Sequence, residues 1–265
     1  MKKALAAWTW SLAVVARSYW TVLALATLVA LWIWAAYQWL GLPESSGLML
    51  VLALVWAIAQ LLAVVVIIAG NVAGTGEVAA ADGRKLPLGS LAMRDRRKLL
   101  KALIFGLVTC VLVWLLGAVF GWINNHSVEV ASYLTFHSQK PVSHFAIEKI
   151  YRVVETLLWI VLAGFLLSFL HTLLRGGWRE AREQEGKLLA GCTFRTPFLT
   201  GLLSVGVFGG GAYRLANWLP IVSVGFWDYA QMIVRLALVL ILLAAGWLFW
   251  SLSLARLYFP GEERQ

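Results

Sequence analysis

The sequence predicts an all-α, polytopic integral membrane protein: six transmembrane helices in three successive hairpins, preceded by an N-terminal amphipathic interfacial helix. Three observations carry this reading. First, 61% of the 265 residues are hydrophobic and 13% are charged; with glycine counted, the apolar share is about 70%, where a soluble domain has about 45–50%. A water-soluble fold of this length still exposes about a quarter of its unfolded surface, so it could not hide that much apolar area. Second, six apolar runs each reach the roughly 20 residues needed to cross ~30 Å of hydrocarbon. Third, 17 of the 22 Lys and Arg residues lie at the N-terminus, in 71–101, in 175–195 and at the C-terminus. The other five (Lys140, Lys149, Arg152, Arg214 and Arg235) lie on the alternate side. Such asymmetry places both termini in the cytoplasm of a bacterial-type inner membrane. A soluble enzyme, a secreted disulfide scaffold, a disordered chain and a nucleic-acid-binding domain are excluded as whole-chain readings.

Residues 1–18 read as the interfacial helix. Leu5, Trp8, Leu12 and Val15 recur at helical spacing, with Lys3 and Arg17 on the other side and Trp10 as the one misfit. A competing reading is a secretory signal, with Val14-Val15-Ala16 before a cleavage site. The membrane domain, 19–259, holds spans over 19–40, 48–70, 99–123, 150–174, 198–218 and 230–259, and residues 260–265 form a cytoplasmic tail. The breaks carry Gly, Pro or clustered charge, as loops do. Trp39-Leu40, Trp122-Ile123 and Trp218-Leu219 close the odd-numbered spans, a weak threefold pattern that interfacial Trp preference also explains.

Ionisable side chains inside spans are the default functional candidates, because burying them costs several kcal/mol unless they are partnered. Arg152, Glu155, Arg214, Asp228 and Arg235 lie in or beside the outer halves of the last three spans. Glu155, Arg214 and Arg235 each fall roughly 6–8 Å inside the outer end of a helix rising 1.5 Å per residue. They are expected either to form a structural ion pair or to line a pocket for a lipid phosphate or an anionic substrate. In the fifth span Gly206 and Gly210 form a GxxxG pair suited to close helix packing. Gly209, Gly210 and Gly211, one turn before Arg214, would also suit a hinge. Gln60 reads as interhelical glue, and His171 as a hydrogen-bonding partner of a neighbouring helix.

His126, His137 and His144 share the outer loop, but spacings of 11 and 7 residues match no compact ligand motif. No metal is expected. The two cysteines, Cys110 and Cys192, belong to no metal or CxxC pattern. Arg94, Arg96, Arg97 and Lys98 read as a cytoplasmic anchor on anionic lipid, or as a dock for an acidic subunit. Glu77, Ala79 and Gly83 share the spacing of the loop by which importer permeases hold their ATPases, yet the downstream Leu-x-Pro is missing.

No phosphate loop, HExxH or GxSxG is present, and no soluble segment is long enough for a catalytic domain. A non-catalytic membrane subunit is expected, partnered by other protein subunits and lipid, without a cofactor. A quinone, pigment or lipid held by apolar contacts would leave no trace in the sequence. Six spans, cytoplasmic ends, an interfacial N-terminal helix and a basic segment between spans two and three resemble the permeases of ABC exporters in layout. That resemblance implies transport energised by a partner ATPase. The alternative is a structural, assembly or lipid-organising subunit of a respiratory, photosynthetic or secretion complex. An intramembrane lipid-modifying enzyme stands behind both.

Overall fold

A computed structural model describes residues 2–41, 46–93, 95–193, 195–218 and 225–258. Arg94 and the tail at 260–265 lie outside them. All regular structure among the described residues is helical: α1 (Lys2–Arg17), α2 (Tyr19–Leu40), α3 (Gly47–Ala80), α4 (Arg96–Asn125), α5 (Ser127–Ser138), α6 (His144–Gly176), α7 (Trp178–Cys192), α8 (Thr196–Ser204), α9 (Gly210–Asn217) and α10 (Gly225–Tyr258). A π-helical segment, Val205–Gly209, joins α8 to α9, and a 3-10 turn spans Leu88–Leu91. Six helices, counting 196–217 as one, are long and apolar enough to cross a membrane.

Helix boundaries depart from the sequence reading at the bundle's ends. The second apolar helix does not stop at residue 70. It runs ten residues further to Ala80, because Asn71, Val72, Thr75, Val78 and Ala79 are buried against the rest of the bundle. Asp82, with φ at 49°, ends it. The polar stretch 124–149 contains α5 and the first turn of α6. The charged stretch 175–197 contains α7, which buries Ala181, Leu188 and Cys192. Gly177, at φ +90°, makes the turn into it, a backbone angle that glycine adopts without steric cost.

α1 packs through a face rotated from the one expected. Ala4, Ala7, Ser11, Val14 and Val15 are buried and Trp8 and Trp10 pack partly buried against the core, while Leu5 and Leu12 are exposed. Small side chains at the contact let α1 approach α10 closely. Trp8 Nε1 reaches across to donate to Thr200 Oγ1 at 2.8 Å.

The packed core occupies one end of the bundle, the end bearing most of the Lys and Arg, here called the basic end. Its two clusters centre on Val14, Leu25, Leu248, Phe249 and Leu252, and on Ala69, Val72, Leu173, Leu174 and Leu254. Towards the opposite end burial fades: α4 buries only Ala102 in 30 residues, and α10 buries nothing before Leu240. Gln60 donates to the Ala35 carbonyl at 3.1 Å, tying α3 to α2 in this looser half.

Three ties hold the basic end. The Ser18 hydroxyl, at the α1–α2 corner, accepts from Leu86 N–H at 2.8 Å, and Thr21 donates to the Leu86 carbonyl at 2.8 Å. Arg256 donates to the Ala79 carbonyl at 3.1 Å, pairs with Asp82 at 2.7 Å and lies 5.0 Å from the ring centre of Trp10. The loop through Leu88–Leu91 lies flat on α3: a Cβ at Gly70 would stand 2.7 Å from the Ala92 backbone, and one at Gly74 2.2 Å from Ser90 Cβ.

Gly70→Ala and Gly74→Ala should each lower the unfolding midpoint in detergent by several degrees, since overpacking costs about 1–3 kcal/mol. Gly117→Ala, whose Cβ meets nothing within 4 Å, should leave the midpoint unchanged or raise it slightly, since alanine is the better helix former. Equal midpoints for all three would mean that the loop does not sit on α3.

Candidate functional site

Polar groups gather at the basic end, where α3, α4 and α6 terminate together. One cavity of about 140 Å³ is lined by Val72, Ala73, Gly76 and Glu77 of α3, by Lys98 of α4, and by His171, Leu174 and Arg175 of α6. An adjoining cleft of about 310 Å³ shares Ala73, Glu77 and Lys98 with it and continues along Ser90, Met93 and Asp95. Asp95 caps α4, accepting from Arg97 N–H at 2.9 Å and from Lys98 N–H at 3.4 Å.

The chemistry below Glu77 is set by a buried hydroxyl chain. Thr75 Oγ1 reaches the Val72 carbonyl at 3.0 Å, and Ser251 Oγ lies 2.7 Å from Thr75 Oγ1 and 3.2 Å from His171 Nε2, so the three side chains form one hydrogen-bonded chain. His171 Nδ1 lies on the side of Gly76, where a Cβ would stand 3.5 Å away. All three side chains are buried, so the chain satisfies groups that would otherwise be costly to leave unpaired.

The five outer ionisable residues do not meet as one cluster. Arg152 is exposed and pairs along α6 with Glu148 at 3.9 Å. Glu155 accepts from Asn124 of α4 at 3.4 Å and from Trp159 at 3.3 Å. Arg235 donates to the Trp218 carbonyl at the end of α9. Arg214 and Asp228 are exposed. Among the described residues no ion pair joins Glu155 to Arg214 or Arg235. The helix bounds also differ from those expected: Glu155 lies eleven residues from the start of α6, Arg235 ten from the start of α10 and Arg214 three from the end of α9, and the angular position of each helix, which the sequence does not show, sends Glu155 and Arg235 to different neighbours.

A Cβ added at Gly206 or Gly210 would meet nothing within 4 Å, and one at Gly211 only Leu242 at 3.6 Å. Gly209 ends the π-helical segment and has only its own Val205 near. Close approach occurs instead at Gly201, against Ile160 and Trp250, and at Gly246, against Phe208. Of the basic run, Arg96 and Arg97 are exposed, whereas Lys98 turns into the cleft.

A separate apolar crevice of about 300 Å³ lies between α2, α3 and α10, lined by Leu28, Trp32, Ile67, Leu243 and Trp247 among others. Its walls would suit a hydrocarbon chain. His126 and His137 are engaged with the carbonyls of Trp122 at 2.7 Å and Tyr133 at 3.1 Å on their own helices. Among the described residues no three His, Cys, Asp or Glu side chains come together as a metal site.

Sequence reading did not single out Thr75, Ser251, Arg175 or Lys98 as parts of one site. The small-residue run Gly70–Gly76, followed at once by Glu77, was the signal that could have located it. Fold and cleft together define the class: an all-helical, multi-pass membrane-type protein with a polar cleft at one end of its bundle. No family model, curated protein or solved structure matches the chain.

Ser251→Ala removes the shared partner of His171 and Thr75, and should cost about 1–3 kcal/mol in an unfolding titration; an unchanged midpoint would show the chain is not formed. Cys192 is buried on α7, and that burial raises its thiol pKa. Less thiolate is then present at pH 8, so in a Cys110→Ser background alkylation should run at least about tenfold slower than for a free thiol and accelerate as pH rises. A rate equal to the free thiol would contradict this burial.

Proposed function

We propose that the chain is a non-catalytic, membrane-embedded subunit of a larger complex, with a permease-type subunit energised by a partner as its working form. The observation supporting this most directly is the unequal packing of the two halves. The accessible surface is 17168 Å², against about 11,500 Å² for a compact globule of this mass. Large apolar side chains stand exposed on α4, the first half of α3 and the first half of α10, among them Trp114, Val108, Leu54 and Ile233. Such faces pack on lipid or on other transmembrane helices.

The basic end supports the partner-driven form. It is held by the three ties above, and it carries α7, whose exposed side bears Arg179, Arg182, Glu183 and Lys187. A soluble partner on this side would push on this tied end, and the π-helical segment before α9 offers a place for one span to bend. The anionic-lipid role of Arg96 and Arg97 belongs to the same reading, as does placement of both termini in the cytoplasm. The exposed α4 face equally supports the second reading, a structural or lipid-organising subunit held in a complex by helix contact.

Gentle solubilisation followed by mass spectrometry of co-purifying chains separates the two. An ATPase in stoichiometric amount supports the permease; other membrane subunits, lost on Trp114→Arg, support the structural role. A homogeneous monomer with no companion overturns both.

A further inference from the structure

We propose that the basic-end cleft is a binding site for a zwitterionic aminophospholipid headgroup, with the phosphodiester on Lys98 and Arg175 and the ammonium on Glu77. This does not depend on the subunit reading; it rests only on the six helices crossing a membrane.

Three observations converge. The first is depth. Glu77 is three residues from the end of α3, Lys98 two from the start of α4, and Arg175 one from the end of α6. All three therefore lie within about 5 Å of a helix terminus; α3 and α6, at 34 and 33 residues, are long enough to carry these ends beyond ~30 Å of hydrocarbon towards the headgroup layer. His171 lies about one turn deeper.

The second is charge balance. Among the described residues, the cavity and its adjoining cleft are lined by two cations, Lys98 and Arg175, and two carboxylates, Glu77 and Asp95. A bare anion would gain little from such a lining. A group carrying one positive and one negative charge a few bonds apart meets an opposite charge at each end. The backbone adds to this at two of the three helix ends: the N-terminal turn of α4 beside Lys98 favours an anion, a field Asp95 already shares as its cap, and the C-terminal turn of α3 beside Glu77 favours a cation, whereas Arg175 on the last turn of α6 acts through its own charge.

The third is shape. Gly76 has no side chain where the cavity passes His171, and Val72, Ala73 and Leu174 supply apolar wall beside the charges. The site thus offers polar groups at headgroup level and hydrocarbon-compatible surface beneath, a combination suited to a lipid rather than to a water-soluble zwitterion.

The full chain, purified in mild detergent, can be titrated with short-chain phosphatidylethanolamine, phosphatidylglycerol, free phosphoethanolamine and inorganic phosphate, reading the unfolding midpoint and bound lipid by native mass spectrometry. Phosphatidylethanolamine should raise the midpoint by about 4 °C or more and exceed phosphatidylglycerol in bound fraction. Glu77→Gln should cut that preference about tenfold, and Lys98→Gln should weaken both lipids, with Lys98→Arg restoring binding. If Glu77→Gln does not yield monodisperse protein, the half-exposed Lys98 position carries the test. Equal response to both lipids, an equal response to phosphoethanolamine or phosphate alone, or variants indistinguishable from the parent would each overturn the assignment.

Discussion

The close approach along the basic half of α3 is the constraint on which the rest of the structure depends. Gly70 and Gly74 leave one face of that helix bare, so the backbone around Ser90 and Ala92 lies directly on it. The position of that loop sets Leu86 between the hydroxyls of Ser18 and Thr21, which in turn fixes the corner between α1 and α2. It also sets Asp95 and the start of α4 beside Glu77. A side chain on either glycine would push the loop away and open all of these at once. Hydrogen bonds and ion pairs finish the arrangement, but the missing side chains permit it.

The two ends of the bundle follow different physics. At the basic end polar groups are dense, and each buried one needs a partner. The His171–Ser251–Thr75 chain and the reach of Arg256 to Ala79 and Asp82 are answers to that need. Towards the other end the helices leave many large apolar side chains exposed. In hydrocarbon nothing drives those faces together, because lipid tails are as apolar as leucine. The described helices are tied together where they carry polar chemistry and leave large apolar side chains uncovered where they do not.

His171 and Gln60 illustrate what local sequence can convey. Each is a lone polar residue in an apolar run, and each bonds to a neighbouring helix, because an unsatisfied polar group in such surroundings is costly. Glu155 and Arg235 illustrate the opposite case. A depth could be counted for each along the chain, but where each helix begins and whether the two face one another depend on how the helices pack and rotate. The glycines divide in the same way: GxxxG spacing at Gly206 and Gly210 lacks a neighbour, while Gly70 and Gly74, at the same spacing, have one. Spacing alone does not say which face of a helix is covered.

By itself the sequence determined the helical class, the number of long apolar helices and the segregation of cations, because composition and run length are local quantities that hydrocarbon thickness reads directly. It did not determine where α3 ends, which face of α1 is buried, or that Glu77, Lys98, Arg175 and His171 line one cavity. Those outcomes depend on packing between residues far apart in the chain, as between Ala79 and Arg256 at a separation of 177. Such contacts leave no periodic trace in either partner, so only the assembled bundle could bring them into view.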